Sequence, residues 1–163
     1  MTKQEFLEYL DWVLRPCEAL MKLAPDDKLD YAPVEGMFTL GQLLHHLALS
    51  LGVYARGFGT GDWGVRSMRE IFVRNRRTEP ISGRKAAEIL EESKRKVIEA
   101  IQNFTEDEFH NNEVDSPMLG RQKIWRLCVH MVEHQLNHKE QLFLYLKLLG
   151  IKVHTGTLYI GST

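Results

Sequence analysis

Three histidines stand four residues apart between Ile124 and Gly150, in IWRLCVHMVEHQLNHKEQLFLYLKLLG, and this spacing is typical of metal ligands on a helix. They are His130, His134 and His138. On an α-helix, positions four apart share a face and lie about 6 Å apart along the axis, so the outer two are about 12 Å apart. Because imidazole binds Zn²⁺ at about 2.1 Å, only one adjacent pair can share an ion. Any further ligand must come from another helix.

The apolar stripe of this helix indicates which histidines face the interior. At about 100° per residue, Met131 and Leu142 project in nearly the same direction. His138 lies about 20° from the centre of the stripe, His134 about 60°, and His130 about 100°, at its edge. We therefore predict that His134 and His138 reach the interior. The alternative is that both are surface or hydrogen-bonded core histidines without a metal.

A second pair of histidines, His45 and His46, lies on a helix for which Thr39 is the predicted N-cap. The leucines of this helix recur on one face, and the two histidines flank that face on opposite sides. The periodicity of the apolar residues does not indicate which of the two histidines faces the later helix. Either one could meet the pair on the later helix, and the other would then point elsewhere.

Length, composition and charge limit the classes of protein to which this chain can belong. The chain has 163 residues, a net charge of −1 and 26% charged residues, which predicts one domain over residues 1–163 and no nucleic-acid partner. No apolar run reaches the roughly 18 residues of a membrane span, and MTKQEFLEYL does not resemble a signal peptide. Cys17 and Cys128 lie among apolar helix positions, which indicates buried thiols in a reducing compartment rather than a disulfide. We expect a cytoplasmic protein.

Four amphipathic segments predict the architecture. They span about Thr2 to Leu23, Thr39 to the stretch GFGTGDWG beginning at Gly57, about Gly83 to Phe104, and Ile124 to Gly150. Pro16 is expected to bend or restart the first helix. Long helices joined by connections of moderate length predict an all-α, antiparallel four-helix bundle.

The shorter segments complete this prediction. Ser82 and Thr105 are expected helix caps, and Gly150 is the expected stop of the last helix. The run HNNEVDSPMLG, from His110 to Gly120, predicts an irregular connection. The tail IKVHTGTLYIGST is expected to lie extended over the mouth of the bundle. The predicted fold is thus a bundle with a short extra helix and an extended C-terminal tail.

The segment VRSMREIFVRNRRTEP, residues 65–80, is basic. One interpretation is a cradle for an anionic substrate or a thiol cofactor, with Arg66 and Arg69 as candidate contacts. The other is a solvated loop and a short helix with no binding role.

Three motifs resemble the DinB-like family of small four-helix-bundle proteins, which is related to YfiT-type metal-dependent hydrolases. They are LDYAPVEGMFTLGQLL before the second helix, FTLGQLLHHLALS at its start, and EHQLNHKEQLFLYLKLLG in the last helix. The resemblance implies metal ligands at His46, His134 and His138. It selects His46 over His45 because the family's ligand precedes a hydrophobic and a small residue, here Leu47 and Ala48.

A divalent ion held by these three histidines could support catalysis. Three imidazoles leave positions open on a divalent ion such as Zn, Ni or Fe, which is typical of catalytic rather than structural sites. Such an ion lowers the pKa of bound water to about 7 and deprotonates a coordinated thiol. The resemblance therefore implies a metal-dependent hydrolase or a low-molecular-weight-thiol transferase acting on a small molecule. In thiol transfer, the basic segment would meet the carboxylates of the thiol.

Other residues of the last helix have supporting roles in this hypothesis. Gln141 lies on the same side as His134 and could orient a ligand imidazole or a bound water by a hydrogen bond. His130 is extra to the three-ligand pattern and is interpreted as a neighbour of the site. The leucine-rich run from Leu142 to Leu149 is a candidate homodimer interface or simply bundle core. Two alternatives to an enzyme remain: a non-catalytic metal-binding stress-response protein, and a structural dimer without metal.

Overall fold

Seven α-helices and one β-hairpin form the described part of the chain, residues 1–162, in a computed structural model. In chain order they are α1 (Lys3–Lys22), α2 (Leu40–Thr60), α3 (Met68–Arg76), α4 (Gly83–Gln102), α5 (Glu106–Asn111), β1 (Glu113–Ser116), β2 (Gly120–Lys123), α6 (Ile124–Leu148) and α7 (Thr155–Ile160). A single 3-10 turn, Asp26–Lys28, lies between α1 and α2. Within residues 1–162, none of the helices combines the length and the hydropathy needed to cross a membrane.

Hydroxyl side chains begin the helices where the sequence predicts them. Thr39 Oγ1 accepts a hydrogen bond from the Gln42 N–H at 3.2 Å, and Gln42 Oε1 accepts one from the Thr39 N–H at 3.0 Å. Ser82 caps α4 and Thr105 caps α5 through their side-chain oxygens. A cap of this kind contributes about 1 kcal/mol. The Thr39 cap therefore fixes the start of the helix that carries His46.

Gly150 ends α6, as predicted. Its φ of 77° lies in the left-handed region that glycine adopts without strain. Gly150 N–H donates to Lys147 O at 3.0 Å, and Ile151 N–H donates to Leu146 O at 2.9 Å. These two hydrogen bonds form a Schellman motif, which satisfies carbonyl groups at the end of the helix.

The hydrophobic core lies between the four long helices. Leu10 of α1, Leu47 of α2 and Leu142 of α6 are fully buried there. At the leucine-rich end of α6, in contrast, Leu144 is 52% exposed and Leu148 is 57% exposed. The run from Leu142 to Leu149 thus supplies both core and surface, and a homodimer through the exposed leucines stays a prediction.

Helices α1 and α2 each pack between α4 and α6. The start of α1 meets the end of α4, where Lys3 Nζ donates to Gln102 O at 3.1 Å, so these helices are antiparallel. Helices α2 and α6 are also antiparallel, because Tyr145 Oη near the end of α6 donates to Phe38 O just before α2, at 2.9 Å.

Helices α2 and α4 run in the same direction. Near their starts, a Cβ built on Gly41 would lie 2.5 Å from Pro80 Cβ, and near their ends the rings of Phe58 and Phe104 are 6.5 Å apart. The helical bundle predicted from the sequence is confirmed. Its helix directions differ from simple alternation, because residues 61–82 return the chain to the starting end before α4 begins.

Helix α1 does not restart at Pro16, whereas α2 ends within the stretch GFGTGDWG, as predicted, with Gly61 as its left-handed cap. Helix α1 continues through Pro16 to Lys22, and α2 continues through Gly57 to Thr60. A Cβ built on Gly57 would lie 2.4 Å from the indole ring of Trp63. Glycine at this position therefore allows the loop after α2 to pack against the helix, and it does not end the helix.

A β-hairpin occupies the segment for which an irregular connection was expected. Strands β1 and β2 are antiparallel, with Val114 opposite Gln122. The short strands EVDS and GRQK lack the apolar alternation that would reveal them in the sequence. Trp63 Nε1–H donates to Asp115 O at 2.8 Å and holds the hairpin against the end of α2.

The expectation of an extended tail is wrong for residues 155–160, which form α7. Gly156 N–H donates to His154 Nδ1 at 3.1 Å, so His154 caps this helix. Leu158 is buried, and α7 packs against α1. Burial against a neighbouring helix therefore overrides the β-branched, glycine-containing character of this segment.

Candidate metal centre

Three imidazoles from two helices converge between α2 and α6. His46 Nε2 lies 2.9 Å from His134 Nε2 and 3.2 Å from His138 Nε2. One ring nitrogen of each residue lies within 4.8 Å of the other two. Two nitrogens that are each about 2.1 Å from one ion are about 3.0 Å apart at a right angle and about 3.4 Å apart at the tetrahedral angle. Both measured separations are close to these values.

The proton of His138 is directed away from this cluster. His138 Nδ1 and Gln141 Oε1 are 2.7 Å apart, and because the amide oxygen can only accept, the ring donates from Nδ1. A neutral imidazole carries one proton, so His138 Nε2 presents a lone pair to the other two rings. Gln141 thereby holds His138 in the tautomer that a metal ligand requires.

His46 has a comparable partner on α3. Its Nδ1 lies 2.9 Å from Asn75 Nδ2, so the amide as placed donates to the ring. An amide can turn about χ2 to present its nitrogen or its oxygen, and it accepts from an Nδ1–H through the oxygen. Turned by 180° about χ2, Asn75 would accept from Nδ1–H and hold the His46 tautomer in which Nε2 is free to bind a metal.

Hydrogen bonding alone does not satisfy the three converging nitrogens. A proton on His46 Nε2 could serve only one of its two neighbours, since each neutral imidazole has a single proton. His138 has already used its own on Gln141. Two lone pairs would then face each other in a half-buried space. A cation at this point accepts the lone pairs of all three rings, so the donor set fits a metal ion.

Burial keeps these rings neutral. It lowers the pKa of His46 to about 4, with a smaller contribution from the nearby His138. Burial lowers the pKa of His134 to about 3, with smaller contributions from the rings of His46, His138 and His130. The pKa of His138 is also lowered by burial, although its hydrogen bond with Gln141 acts in the opposite direction. Neutral imidazole is the form that binds metals, so the site is ready for an ion at neutral pH.

A buried polar contact next to the cluster joins α6 to α2. Gln135 Nε2 donates to Ser50 Oγ at 2.5 Å, and Ser50 Oγ donates to Leu47 O at 3.1 Å. Among residues 1–162, His134 Nδ1 and Gln135 Oε1 are buried without a hydrogen-bond partner. The Gln135–Ser50 contact fixes the rotation of α6 against α2, and hence the direction in which His134 points.

Comparison with known families agrees with this fold. A model of the DinB superfamily matches residues 9–142, which is most of the chain. The chain belongs to the DinB superfamily. No curated protein matches it significantly.

Two solved DinB-like proteins share the fold of this DinB-superfamily chain. One, from Bacillus cereus ATCC 10987, is 18% identical, with a TM-score of 0.74 over 94% of this chain and 96% of the other. The other, from Bacillus subtilis, is 17% identical, with a TM-score of 0.68 over 93% of each chain. At these identities the likeness shows the fold alone.

The fourth histidine of the α2–α6 interface lies outside the cluster. Tyr54 Oη and His130 Nδ1 are 2.7 Å apart. Burial raises the pKa of Tyr54, so its hydroxyl keeps its proton and is able to donate to the ring. His130 lies one helical turn before His134, as expected from the spacing, and the cluster that can hold an ion comprises His46, His134 and His138.

The structure also separates the residues that the sequence left as alternatives. His45 is half-buried outside the cluster, and its pKa is lowered by burial and then by Arg74. Arg69 lines a surface groove of about 630 Å³ on α3, together with Arg74 and Arg77. Arg66 is exposed just before α3 begins.

Two contacts of the DinB-superfamily site were missed by sequence reasoning. Asn75 comes from a segment whose arginines dominate its pattern, and no spacing relates it to His46. Gln135 stands next to His134, where a buried glutamine could be recognised only from its partner Ser50 on another helix.

Proposed function

We propose that this protein is a metal-dependent enzyme that acts on a small molecule, with His46, His134 and His138 as the ligands of a divalent ion. The convergence of the three Nε2 atoms carries this proposal, because three neutral imidazoles cannot all satisfy one another there by hydrogen bonds between the rings. Structural zinc sites are normally closed by four protein ligands, whereas catalytic sites keep a position open. Three ligands therefore favour a site that binds substrate.

When bound, a divalent ion acts as a Lewis acid and lowers the pKa of a water or thiol that it holds. The reaction class proposed is hydrolysis or transfer of a low-molecular-weight thiol. The chain itself keeps the ligand rings neutral by burial and holds the tautomer of His138 through Gln141. Asn75 contacts His46 Nδ1 and would hold its tautomer once the amide oxygen faces the ring. Glu133 and Glu140 are exposed on α6, so neither is proposed as the general base.

The groove on α3 favours an anionic substrate. In the described part of the chain, none of its arginines, Arg69, Arg74 and Arg77, forms an ion pair. Guanidinium groups that lack a carboxylate partner are suited to carboxylate or phosphate groups. Since α3 also supplies Asn75 to His46, these arginines lie on an element that contacts that ligand.

The test combines metal content with turnover. Purified protein should hold about one divalent ion per chain after mild dialysis, since three imidazoles suit Zn, Ni or Fe. His134→Ala should lose it, whereas His110→Ala, at a histidine that bonds Glu106 away from the cluster, should keep it. A screen of ester hydrolysis, amide hydrolysis and thiol conjugation should find an activity that His134→Ala lacks. Equal turnover by both proteins would remove the metal from the mechanism, and bound metal without any turnover would favour a non-catalytic metal-binding protein.

A further inference from the structure

Helix α3 is weakly anchored by apolar contacts. None of its residues is buried, and it packs mainly against α2. Its large apolar side chains Met68 and Phe72 are 54% and 53% exposed. Hydrophobic burial, which stabilises most helices in proteins, therefore contributes little to the position of α3.

Polar contacts hold α3 in place instead. Gln42 Nε2 donates to Arg76 O at 3.1 Å, and Arg76 Nη2 donates to Gly36 O at 2.8 Å. The remaining contact joins Asn75 to His46 Nδ1 at 2.9 Å, and it reaches the metal centre directly. The orientation of one metal ligand and the position of an otherwise loosely held helix thus depend on the same hydrogen bond.

We propose that Asn75 is a positioning residue that couples metal binding at His46 to the ordering of α3. The proposal rests on the metal site proposed above. In the structure Asn75 Nδ2 faces His46 Nδ1. With Nε2 bound to an ion, the proton of His46 lies on Nδ1, so the amide turns by 180° about χ2 and its oxygen accepts that proton. The cation also draws electron density from the ring and makes Nδ1–H a stronger donor. A contact that is stronger with metal than without it links the two equilibria, and by reciprocity an ordered α3 strengthens metal binding.

Through this coupling, metal binding would also order the arginine groove on α3. Arg69, Arg74 and Arg77 line the groove, and two of them flank Asn75 closely in the sequence of α3 and its cap. Metal loading would therefore fix the groove on the helix that contacts His46. An anionic small molecule would meet ordered arginines only in the metal-loaded protein.

The experiment uses the full chain with two substitutions of similar shape. Asn75→Asp keeps an oxygen that accepts from Nδ1–H, and Asn75→Leu removes it. Affinity for Zn²⁺ is measured by competition with a chromophoric chelator, and the order of α3 by hydrogen–deuterium exchange of peptides covering residues 68–77 with and without Zn²⁺. Loss of an outer hydrogen-bond partner should weaken Zn²⁺ binding by about 10-fold or more in Asn75→Leu, while Asn75→Asp binds at least as tightly as the parent.

Exchange of α3 should slow on Zn²⁺ addition in the parent and in Asn75→Asp but not in Asn75→Leu, while α4 peptides behave alike in all three. Asn75→Ala replaces Asn75→Leu if the latter unfolds. Parent-like Zn²⁺ affinity and slowing of exchange in Asn75→Leu would overturn the coupling and leave the metal site standing. Equal weakening in both variants would also overturn it, since shape rather than hydrogen bonding would then matter. A parent protein that binds neither Zn²⁺ nor Ni²⁺ would instead overturn the proposed function on which the coupling rests.

Discussion

Gln141 Oε1 accepts the Nδ1 proton of His138 over 2.7 Å, from a position one helical turn further along α6. A single exposed glutamine thus decides which nitrogen of a half-buried histidine points into the site. This local i, i+3 contact depends on α6 alone, whereas the contact of His46 with Asn75 depends on the fold.

Loss of the Gln141 contact should weaken metal binding without unfolding the protein. In Gln141→Leu, His138 is free to place its proton on Nε2, which competes with the ion, and Zn²⁺ affinity should fall by about 10-fold. Competition with a chelator measures the change. Glu140→Gln, at the exposed neighbouring position, is the control and should bind Zn²⁺ as the parent does. An unchanged Zn²⁺ affinity in Gln141→Leu would show that the hydrogen bond to Gln141 is not required to keep the His138 proton on Nδ1.

Substitution of the two adjacent histidines of α2 should have very different effects on metal binding. His46→Ala removes a ring from the cluster, so Zn²⁺ affinity should fall by more than the roughly 10–100-fold typical of an outer hydrogen-bond partner. His45→Ala removes a half-buried ring outside the cluster and should leave the metal content unchanged. Metal analysis of both variants after dialysis distinguishes them. Loss of metal in His45→Ala alone would reverse the assignment.

Stability of the metal-free protein should fall as the pH drops below 6.5. The pKa values of His46, about 4, and His134, about 3, lie below the 6.5 of an unperturbed histidine. Between these values the unfolded chain binds protons that the folded chain does not, so the free energy of unfolding decreases on acidification and levels off for these groups below about pH 3. The two histidines together contribute a slope of at most about 2.7 kcal/mol per pH unit.

Urea denaturation in the presence of a chelator, at several pH values between 7.5 and 4.5, measures this slope. The double variant His46→Phe, His134→Leu lacks both groups and should show a shallower decrease. Parallel curves for the parent and the variant would mean that these rings titrate normally in the folded protein. Added Zn²⁺ should move the decrease in the parent to lower pH, because protons must then displace the ion.

Removing only Ser50 from its buried contact with Gln135 should lower the free energy of unfolding more than replacing both side chains does. Ser50→Ala leaves Gln135 Nε2 with only the long contact to Leu47 O at 3.4 Å, and should lower the free energy of unfolding by about 1–3 kcal/mol. Adding Gln135→Met removes the buried amide and should recover part of that loss. Chemical denaturation of the single and double variants gives the coupling energy. Additive losses would indicate that the two side chains do not stabilise each other.

The sequence predicted the α6 part of the site from helical geometry alone. His134 and His138 lie near the apolar stripe of α6, and both point into the interface with α2. His46 could not be separated from His45 in this way, because adjacent residues on opposite edges of one stripe are equivalent until the neighbouring helix is placed. The resemblance to DinB-like proteins made that choice, and the cluster contains His46.

Features that depend on long-range packing were not predicted. The parallel directions of α2 and α4 follow from how residues 61–82 return along the bundle, which no local pattern encodes. Asn75 reaches His46 only because α3 lies on α2. The fold of the tail into α7 depends on burial of Leu158 against α1, which outweighs the weak helix propensity of that segment.

In the proposed site, the rings of His46 on α2 and of His134 and His138 on α6 hold one ion. X-ray diffraction from crystals of the Zn²⁺-loaded protein, recorded on both sides of the zinc absorption edge, tests this arrangement most directly. One strong anomalous peak is expected about 2.1 Å from the Nε2 atoms of His46, His134 and His138. An anomalous peak bound elsewhere, or three rings that turn apart with no peak between them in fully loaded crystals, would contradict it.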